Sequence, residues 1–485
     1  MKRNTYSLQL VVILLTINAL NLTAQNPKYS AEIEGRISKV ERSLIGWVQT
    51  QDQTTWTLAE RMTLYNVKGL AIAVVHNYKI EWVRGYGWAD ESEKRTVNEK
   101  TLFQAASISK SLNGIGVLKL VQDKKLDLNA DINNYLTSWK FPYDEKSKGE
   151  KITTMELLSH TAGINIDGFP GYAAGEELPS LFQILEGQKP ANTKAIRSMN
   201  EPGTNFVYSG GGVIVSQMIV MDITHKPYEE YMQKNVLNPL GMKSSFFNQP
   251  PLKKKKNLLA TGYKASGEEV SGKYHIYPEQ AAAGLWTNPV DLSRHIIETQ
   301  LSYQGKSSKV LTPEMTKLRI TPVFKDAALG VFVNTNGSPK YFMHQGGNKG
   351  FSCQYVGSFA GGEGMAVMTN SDNGAILDEI VNSVASVYNW KDYYKPVIKK
   401  VIELPENLLD KYAGKYDLEG TQVNLARRNK ELTISFSSGI FWKVQFTSNV
   451  DFFIREYRVD LRFVSDQQGN VTGFTIDGTM VKKIE

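Results

Sequence analysis

The chain has 485 residues, of which 41% are hydrophobic and 22% are charged, and its formal net charge is +7. This length predicts more than one domain, and the composition excludes a disordered or fibrous chain. The basic residues form no long stripe interleaved with aromatic residues. The run Lys253–Lys256 follows two prolines and is interpreted as a solvated loop. We therefore expect no nucleic-acid partner.

The N-terminus has the three parts of a secretory signal peptide. Lys2 and Arg3 precede the mostly apolar run Leu8–Leu20, and small residues around Ala24 offer a cleavage site. This pattern predicts a signal peptide over residues 1–24 and an exported protein, periplasmic or secreted. The apolar run is short for a membrane span, so we expect no stable span after cleavage. An uncleaved anchor helix is the alternative interpretation.

Helix and strand patterns alternate at the start of the mature chain. Residues 31–65 carry apolar residues at helical spacing. The runs 69–75 and 80–87, separated by a short turn, predict a β-hairpin whose first strand is strongly apolar. The stretch Phe103–Ser111 follows and leads into a helix of apolar and small residues.

That stretch contains Ser107 and Lys110 in a Ser-x-x-Lys arrangement. A spacing of three on a helix places both side chains on one face, about one turn apart. A serine hydroxyl becomes a good nucleophile only when a base takes its proton. A lysine can act as that base when burial or neighbouring charge lowers its pKa, and a mostly apolar helix could supply such surroundings. Taken alone, the pattern is more typical of a helix start with a solvated lysine.

The rest of the chain predicts a sheet built from both ends of a long unit. Residues 126–300 are rich in helical patterns, and one helix start is predicted at Asn288-Pro289. Strand patterns then return, and a helix from about Ala375 to Tyr388 closes the unit. The four predicted strands cover 329–334, 341–344, 350–359 and 364–370. We therefore expect an α+β fold over residues 30–395, with an antiparallel sheet flanked by helices and an inserted helical subdomain.

The C-terminal part has a different pattern of polar and apolar residues. Residues 396–407 are interpreted as a linker. Residues 408–485 alternate polar and apolar residues between turn signals, which predicts a small all-β domain, either a barrel or a sandwich.

Two further stretches could serve a serine nucleophile. Tyr208 lies just before a glycine-rich helix start, where its hydroxyl could share a proton with Lys110. His344 lies on a strand that leads into Gly346 and Gly347, and glycines allow another backbone or a substrate to approach closely. Each of these taken alone is more typical of a core tyrosine or an ordinary strand bulge.

Other chemistries find no support in the sequence. The six histidines have no paired metal-ligand spacing, so we expect no metal, and no other cofactor motif is present. A Gly-x-Ser-x-Gly elbow is also absent. The single cysteine, Cys353, is interpreted as a small core residue.

Taken together and in this order, Ser107-x-x-Lys110, Tyr208-Ser-Gly and His344-Gln-Gly resemble the serine β-lactamase and penicillin-binding-protein superfamily. The branch most similar holds class C β-lactamases, D-alanyl-D-alanine carboxypeptidases, D-aminopeptidases and esterases. Four supporting stretches also resemble that branch. They are 157–164, 201–206, 239–242 and 282–285. The resemblance covers about residues 60–395 and implies a β-lactamase/transpeptidase-like fold. The terminal β-module is similar to lipocalin-like domains appended in this branch.

The resemblance implies an acyl-enzyme mechanism. Ser107 would attack a carbonyl, and Lys110 and Tyr208 would move the proton, with either of them as the general base. The backbone N–H groups of Ser107 and Gly347 would form the oxyanion hole. His344, Gly346 and Gly210 would line the substrate site.

Two departures from the family pattern concern the substrate. The second motif usually ends in asparagine, where this chain has Gly210. Enzymes devoted to β-lactams usually carry lysine where this chain has His344, and a histidine is mostly neutral near pH 7. Both departures favour an esterase or a peptidase over an efficient β-lactamase.

We therefore expect an exported serine hydrolase that cleaves an ester or amide bond in a small-molecule or peptidoglycan-type substrate. A weak class C-type β-lactamase or a D-amino-acid peptidase is an alternative. A non-catalytic, penicillin-binding-like protein that binds cell-wall material is another.

Overall fold

The computed structural model describes residues 28–334, 337, 340–436 and 440–484. The predicted signal peptide lies outside the described residues. Within the described ranges, no helix combines the length and the apolar character needed to cross a bilayer.

The first part of the chain contains eleven strands and eleven helices within the described ranges. The strands are β1 Val48–Thr50, β2 Gly69–His76, β3 Lys79–Asp90, β4 Arg95–Thr96, β5 Phe103–Gln104, β6 Trp286–Thr287, β7 Phe332–Asn334, β8 Tyr341–Asn348, β9 Phe351–Ser358, β10 Gly364–Thr369 and β11 Val397–Lys399. The helices are α1 Ala31–Arg42, α2 Leu58–Leu64, α3 Ser109–Gln122, α4 Thr154–Ser159, α5 Leu181–Glu186, α6 Gly210–Thr224, α7 Tyr228–Met232, α8 Gln280–Ala283, α9 Pro289–Tyr303, α10 Pro313–Arg319 and α11 Ala375–Val387.

The last part forms a closed barrel of eight strands, preceded by helix α12 Glu406–Tyr412. The barrel strands are β12 Gly414–Leu418, β13 Thr421–Arg428, β14 Glu431–Ser435, β15 Trp442–Phe446, β16 Asp451–Phe453, β17 Leu461–Ser465, β18 Val471–Ile476 and β19 Thr479–Lys483. Closure leaves the barrel no free sheet edge, because β12 pairs with both β13 and β19.

The central sheet has seven antiparallel strands in the order β4-β3-β2-β10-β9-β8-β7. Strands from the beginning and the end of residues 30–395 meet at the centre of this sheet, where Ile72 of β2 is paired with Val367 of β10. Helices α1 and α11 pack together, and α9 packs against β2, β9 and β10. The predicted fold class is confirmed: an antiparallel sheet with helices, followed by an all-β module.

Local sequence explains how the helices begin. Thr57 and Glu60 form a reciprocal capping box on α2, and Thr153 and Glu156 form one on α4. The predicted start of α9 is confirmed, because the side chain of Asn288 accepts a hydrogen bond from the Asp291 N–H. Helices α3 and α6 are buried along most of their length, as expected for central helices.

Two stretches differ from the sequence expectation. The helical spacing over 31–65 is interrupted, because Val48–Thr50 forms strand β1, which pairs in parallel with β11. Strand β8 extends to Asn348, so Gly346 and Gly347 lie within the strand and pair with Cys353 and Ser352 of β9. Non-local strand pairing decided both cases, since helical spacing and glycine content are only local signals.

Buried charges connect the barrel to the rest of the chain. Arg61 of α2 donates hydrogen bonds to Glu379 of α11 and to Glu456, which follows β16, at 2.8 Å for the latter pair. The Arg61 guanidinium also stacks 3.9 Å from the centre of the Trp56 ring. The barrel is therefore joined to the sheet-and-helix part through a desolvated ion cluster.

Candidate active site

Ser107 lies in a short 3₁₀ turn, Ala106–Ile108, that joins strand β5 to helix α3. Ala106 has a φ of 47°, in the left-handed region that alanine rarely adopts. Such backbone strain is often found at functional sites, where the surrounding structure holds it in place. The serine side chain is half-buried, whereas the neighbouring residues are buried. The turn therefore presents one hydroxyl at the edge of an otherwise closed core.

Lys110 lies one turn along the same face, as the spacing predicted. Its Nζ is 3.0 Å from the Ser107 Oγ and donates a second hydrogen bond of 2.9 Å to the carbonyl oxygen of Ala282. The residue is only 2% exposed. A direct contact at this distance is within reach for proton transfer between the hydroxyl and the amine.

The Ala282 carbonyl was not found by sequence reasoning. It belongs to the short helix α8, which is held from two sides. Gln217 of α6 accepts a hydrogen bond from the Ala281 N–H at 2.8 Å, and Ser109 of α3 accepts one from the Leu285 N–H at 3.0 Å. The carbonyl that holds the lysine is thus fixed by contacts to both central helices.

Tyr208 approaches Lys110 with the face of its ring. The Nζ of Lys110 lies 5.1 Å from the ring centre, a cation–π distance. The same ring lies 4.3 Å from the His160 ring and 6.4 Å from the Phe332 ring. His160 accepts a hydrogen bond from the Ser209 N–H at its Nδ1. Burial and the charge of Lys110 hold the pKa of His160 well below its usual value, so the His160 ring remains neutral. The packing of this ring against Tyr208 helps to hold the tyrosine in position.

Gly210 is covered by the loop that follows α4. Its N–H donates to the carbonyl of Asp167 at 3.1 Å. A Cβ at this position would lie 2.9 Å from a ring carbon of Phe169 and 3.0 Å from the Asp167 carbonyl oxygen. The loop therefore occupies the space into which a larger side chain at residue 210 would begin to project.

The edge of β8 lies against the backbone of the Ala106–Ile108 turn, which carries Ser107. A Cβ on Gly346 would be 2.4 Å from the Ala105 carbonyl oxygen and 3.0 Å from the Ser107 nitrogen. Gly347, one residue further, has open space at that position. Only glycine at residue 346 permits β8 to come this close to the Ala105–Ser107 backbone. The two predicted oxyanion donors, Ser107 and Gly347, therefore lie on adjacent segments.

His344 is buried beside this strand edge rather than exposed. It is 3% exposed, its ring is 5.3 Å from the Phe332 ring, and its Nδ1 contacts the Gln345 carbonyl at 2.6 Å. Burial and the charge of Lys110 lower the pKa of His344 to about 3, so the ring is neutral near pH 7. It therefore supplies no fixed positive charge for a substrate carboxylate.

Two further polar residues, Asn348 and Gln104, were not predicted from the sequence. They join β8 to strand β5, which directly precedes the Ser107 turn. Asn348 donates to the side-chain oxygen of Gln104 at 2.9 Å and to the Ala283 carbonyl at 3.1 Å. Gln104 in turn donates to the His275 carbonyl. The predicted core position of Cys353 is confirmed by its full burial, and its thiol contacts the Ala105 carbonyl.

The structure brings together most of the residues singled out from the sequence, whereas Gly210 contacts the Asp167–Phe169 loop and no hydrogen bond of Gly347 with Ser107 or Lys110 is formed within the described residues. Ser107, Lys110 and Tyr208 are joined by the contacts given above, and Gly346 and Gly210 each lie under a neighbouring segment. Across the described residues, no group of three or more histidine, cysteine, aspartate or glutamate side chains could hold a metal ion.

Known proteins are similar to this chain in sequence. The profile of the Beta-lactamase family matches residues 57–383. Protein flp of Staphylococcus aureus (strain MW2) is 25% identical over 350 residues, which cover 71% of this chain and 68% of that protein. The putative penicillin-binding protein PbpX of Bacillus subtilis (strain 168) is 24% identical over 321 residues, which cover 65% of this chain and 74% of that protein.

Solved structures share the fold over much of the chain. The octameric penicillin-binding protein homologue from Pyrococcus abyssi superposes with a TM-score of 0.61 at 19% identity, over 88% of this chain and 98% of that chain. The penicillin-binding protein from Bacillus halodurans gives a TM-score of 0.54 at 19% identity, over 67% of this chain and 97% of that chain. Because the family profile spans more than half of the sequence, the chain belongs to the Beta-lactamase family, whose penicillin-binding-protein homologues support a serine-hydrolase type of function.

Proposed function

We propose that this protein is an exported serine hydrolase that cleaves an ester or amide bond through an acyl-enzyme on Ser107. The observation that carries the proposal is the hydrogen bond of 3.0 Å between the Lys110 Nζ and the Ser107 Oγ. Lys110 has a second, fixed partner in the Ala282 carbonyl, which leaves the amine oriented toward the hydroxyl. Export rests on the N-terminal sequence alone.

The proposed reaction has four steps. The Ser107 hydroxyl attacks the substrate carbonyl while Lys110, directly or with Tyr208, takes the proton. The N–H groups of Ser107 and Gly347 stabilise the developing oxyanion, and each such donor is typically worth about 3 kcal/mol. The proton passes to the leaving group as the carbonyl–heteroatom bond breaks. Water then attacks the acyl-enzyme, releases the acid and restores the Ser107 hydroxyl.

Two features favour an ester or a peptide over a β-lactam as the substrate. His344 is neutral and buried, so it provides no permanent cation for the carboxylate that β-lactam antibiotics carry. At Gly210 no side-chain amide is available to hold the acyl amide, and the Asp167–Phe169 loop fills the adjacent space. A D-amino-acid peptide is a candidate substrate. One solved neighbour of similar fold is a structure of SurE with D-Leu, with a TM-score of 0.52.

Covalent labelling tests the proposal. The purified chain is incubated with a fluorophosphonate and with a fluorescent penicillin, and the adduct is located by peptide mass spectrometry. We expect a fluorophosphonate adduct at Ser107 that disappears in Ser107→Ala and persists in the exposed-loop control Ser266→Ala. An adduct that survives Ser107→Ala, or no adduct in the unmodified chain, would refute the hydrolase and favour a non-catalytic binding protein.

Parallel rates then rank the substrates. We expect a nitrophenyl ester to be hydrolysed faster than a chromogenic cephalosporin. The opposite order would favour the weak β-lactamase alternative.

A further inference from the structure

We propose that a cleft beside the candidate active site binds a positively charged ammonium group of the substrate. The cleft has a volume of about 380 Å³ and lies at the β7–β8 end of the sheet, next to the first turn of α11. The proposal rests on the hydrolase function proposed above and specifies one part of its substrate.

The cleft adjoins the candidate site through two of its lining residues. Gln345 lies two residues before Gly347 on β8, about 7 Å along the strand that carries the candidate oxyanion donor. Phe332 lines the cleft and also contacts the rings of Tyr208 and His344. A substrate whose carbonyl lies at Ser107 would reach the cleft with a flexible arm that passes over the β8 strand at Gln345.

The charged side chains that line the cleft are both acidic. They are Asp326, which is exposed, and Asp378, which is partly buried. Asp378 lies in the first turn of α11, where the helix dipole favours a carboxylate. It accepts hydrogen bonds from the Trp47 Nε1 at 3.0 Å and the Gln345 Nε2 at 3.3 Å, which leaves acceptor capacity on both oxygens.

One basic group approaches the lining without being part of it. The Arg458 guanidinium lies 6.0 Å from the centre of the Trp47 ring and donates to the Lys395 carbonyl. The carboxylates of Asp326 and Asp378 form no ion pair within the described part of the chain. Both therefore remain available to a ligand.

A buried acceptor also lines this cleft. Gln354 is 2% exposed, and its Oε1 accepts no hydrogen bond within the described part of the chain. A buried acceptor without a donor is unfavourable, so a ligand that carries N–H donors would satisfy it. The lining also contains the aromatic rings of Trp47, Phe332 and Tyr393, whose faces attract a cation.

This set of groups distinguishes among ligands. An anion would be repelled by Asp326 and Asp378. A purely apolar arm would bury Asp378 and would leave Gln354 without a donor. An ammonium group provides three donors and a charge of the right sign, and its alkyl chain matches the aromatic rings.

Paired substrates test the subsite in the full chain. The probes are the nitrophenyl esters of aminohexanoic acid and of heptanoic acid, which differ by an ammonium in place of a methyl group. We expect kcat/KM to favour the amino ester about tenfold, and Asp378→Asn to remove about that factor from the ratio, since one charge-assisted hydrogen bond has this size. The control is Asp127→Asn, because Asp127 is exposed and does not line the cleft. This variant should leave the ratio of kcat/KM for the two esters unchanged.

Binding separates failure of the subsite from failure of the hydrolase. Calorimetry on Ser107→Ala protein should detect benzylamine binding that is weakened about tenfold by Asp378→Asn, and no comparable binding of benzyl alcohol. Equal kcat/KM for the two esters in an enzyme that labels at Ser107 would overturn the subsite alone. If Ser107 is not labelled, the proposed hydrolase function is wrong. The subsite proposal is then still tested by calorimetry, because benzylamine binding that is unchanged by Asp378→Asn would contradict it.

Discussion

Gly330 and Lys110 meet through their backbones. A Cβ on Gly330 would lie 2.5 Å from the Lys110 carbonyl oxygen, and Gly330 has a φ of 72°. The Ser111 hydroxyl donates to the Gly330 carbonyl at 2.9 Å, which fixes the same contact from the other side. Helix α3 is therefore held against the 329–330 segment within its first turn, where the candidate general base is located.

We expect Gly330→Ala to destabilise the chain and to reduce hydrolysis, because the added methyl group pushes the first turn of α3 away from its position. Gly305→Ala is the matched control, since Gly305 also has a φ of 72° but has no atom within 4 Å of its Cβ position. The backbone strain is the same in both variants. The extra loss in Gly330→Ala should be about 1–3 kcal/mol, the usual effect of overpacking, measured by urea unfolding. Equal losses would mean that the contact with Lys110 is unimportant.

Removal of the candidate base should abolish turnover without unfolding the chain. We expect Lys110→Met to lower kcat for a nitrophenyl ester by about 10²–10⁴-fold, the usual contribution of general acid–base catalysis. Lys119→Met on the same helix, where Lys119 pairs with Asp123 at the surface, is the control and should retain the rate. A Lys110→Met enzyme with unchanged kcat would exclude a role in proton transfer.

Acid should destabilise the fold through His344. The folded pKa is about 3, whereas the unfolded value is about 6.5, so between these values the unfolded chain binds more protons at this residue. The contribution is complete above about pH 6.5 and is lost as the pH falls toward 3. Between about pH 7.5 and about pH 5 the free energy of unfolding should drop by about 2 kcal/mol from this histidine.

His344→Gln should remove that part of the pH dependence, measured by urea unfolding at the two pH values. Other buried groups with their own pH dependence are common to both proteins. Burial lowers the pKa of His160 and of His295 and raises the pKa of Glu279 to about 8. The difference between the two proteins therefore reports residue 344 together with its electrostatic effect on His160. An identical pH dependence in both would show that His344 is not buried as a neutral ring.

Asparagine at position 210 should not convert the protein into an efficient β-lactamase. The new side chain would collide with Phe169 and with the Asp167 carbonyl, so we expect Gly210→Asn to cost about 1–3 kcal/mol of stability. Cephalosporin turnover should stay low in Gly210→Asn. It should rise only when Phe169→Ala is added, because that change vacates space. A rise in the single variant would show that the loop yields easily.

The barrel junction should depend strongly on one arginine. Arg61→Met leaves Glu379 and Glu456 buried without their cation, and breaking a buried ion cluster from one side costs about 3–5 kcal/mol. Thermal unfolding should show this loss. Arg427→Met, which removes ion pairs at the barrel surface, is the control and should cost less than about 1 kcal/mol.

The strand and helix patterns of the sequence were sufficient for the fold class but not for every boundary. The apolar run of β2 and the alternating residues after 408 have periods that are intrinsic to a strand, so their type could be predicted. The end of β8 could not, because Gly346 and Gly347 join the strand only through pairing with β9. The parallel pairing of β1 with β11 joins residues about 350 positions apart and has no local signal.

In the candidate site, the Ser107–Lys110 pair could be predicted from residue spacing, because helical geometry fixes the positions of residues three apart whatever surrounds them. The surroundings of this pair depend on the folded chain: the Ala282 carbonyl on Lys110, the loop over Gly210, and the cleft beside Gln345. Each of these depends on packing between segments far apart in the chain, and such contacts follow from the shape of the whole core rather than from any local residue pattern.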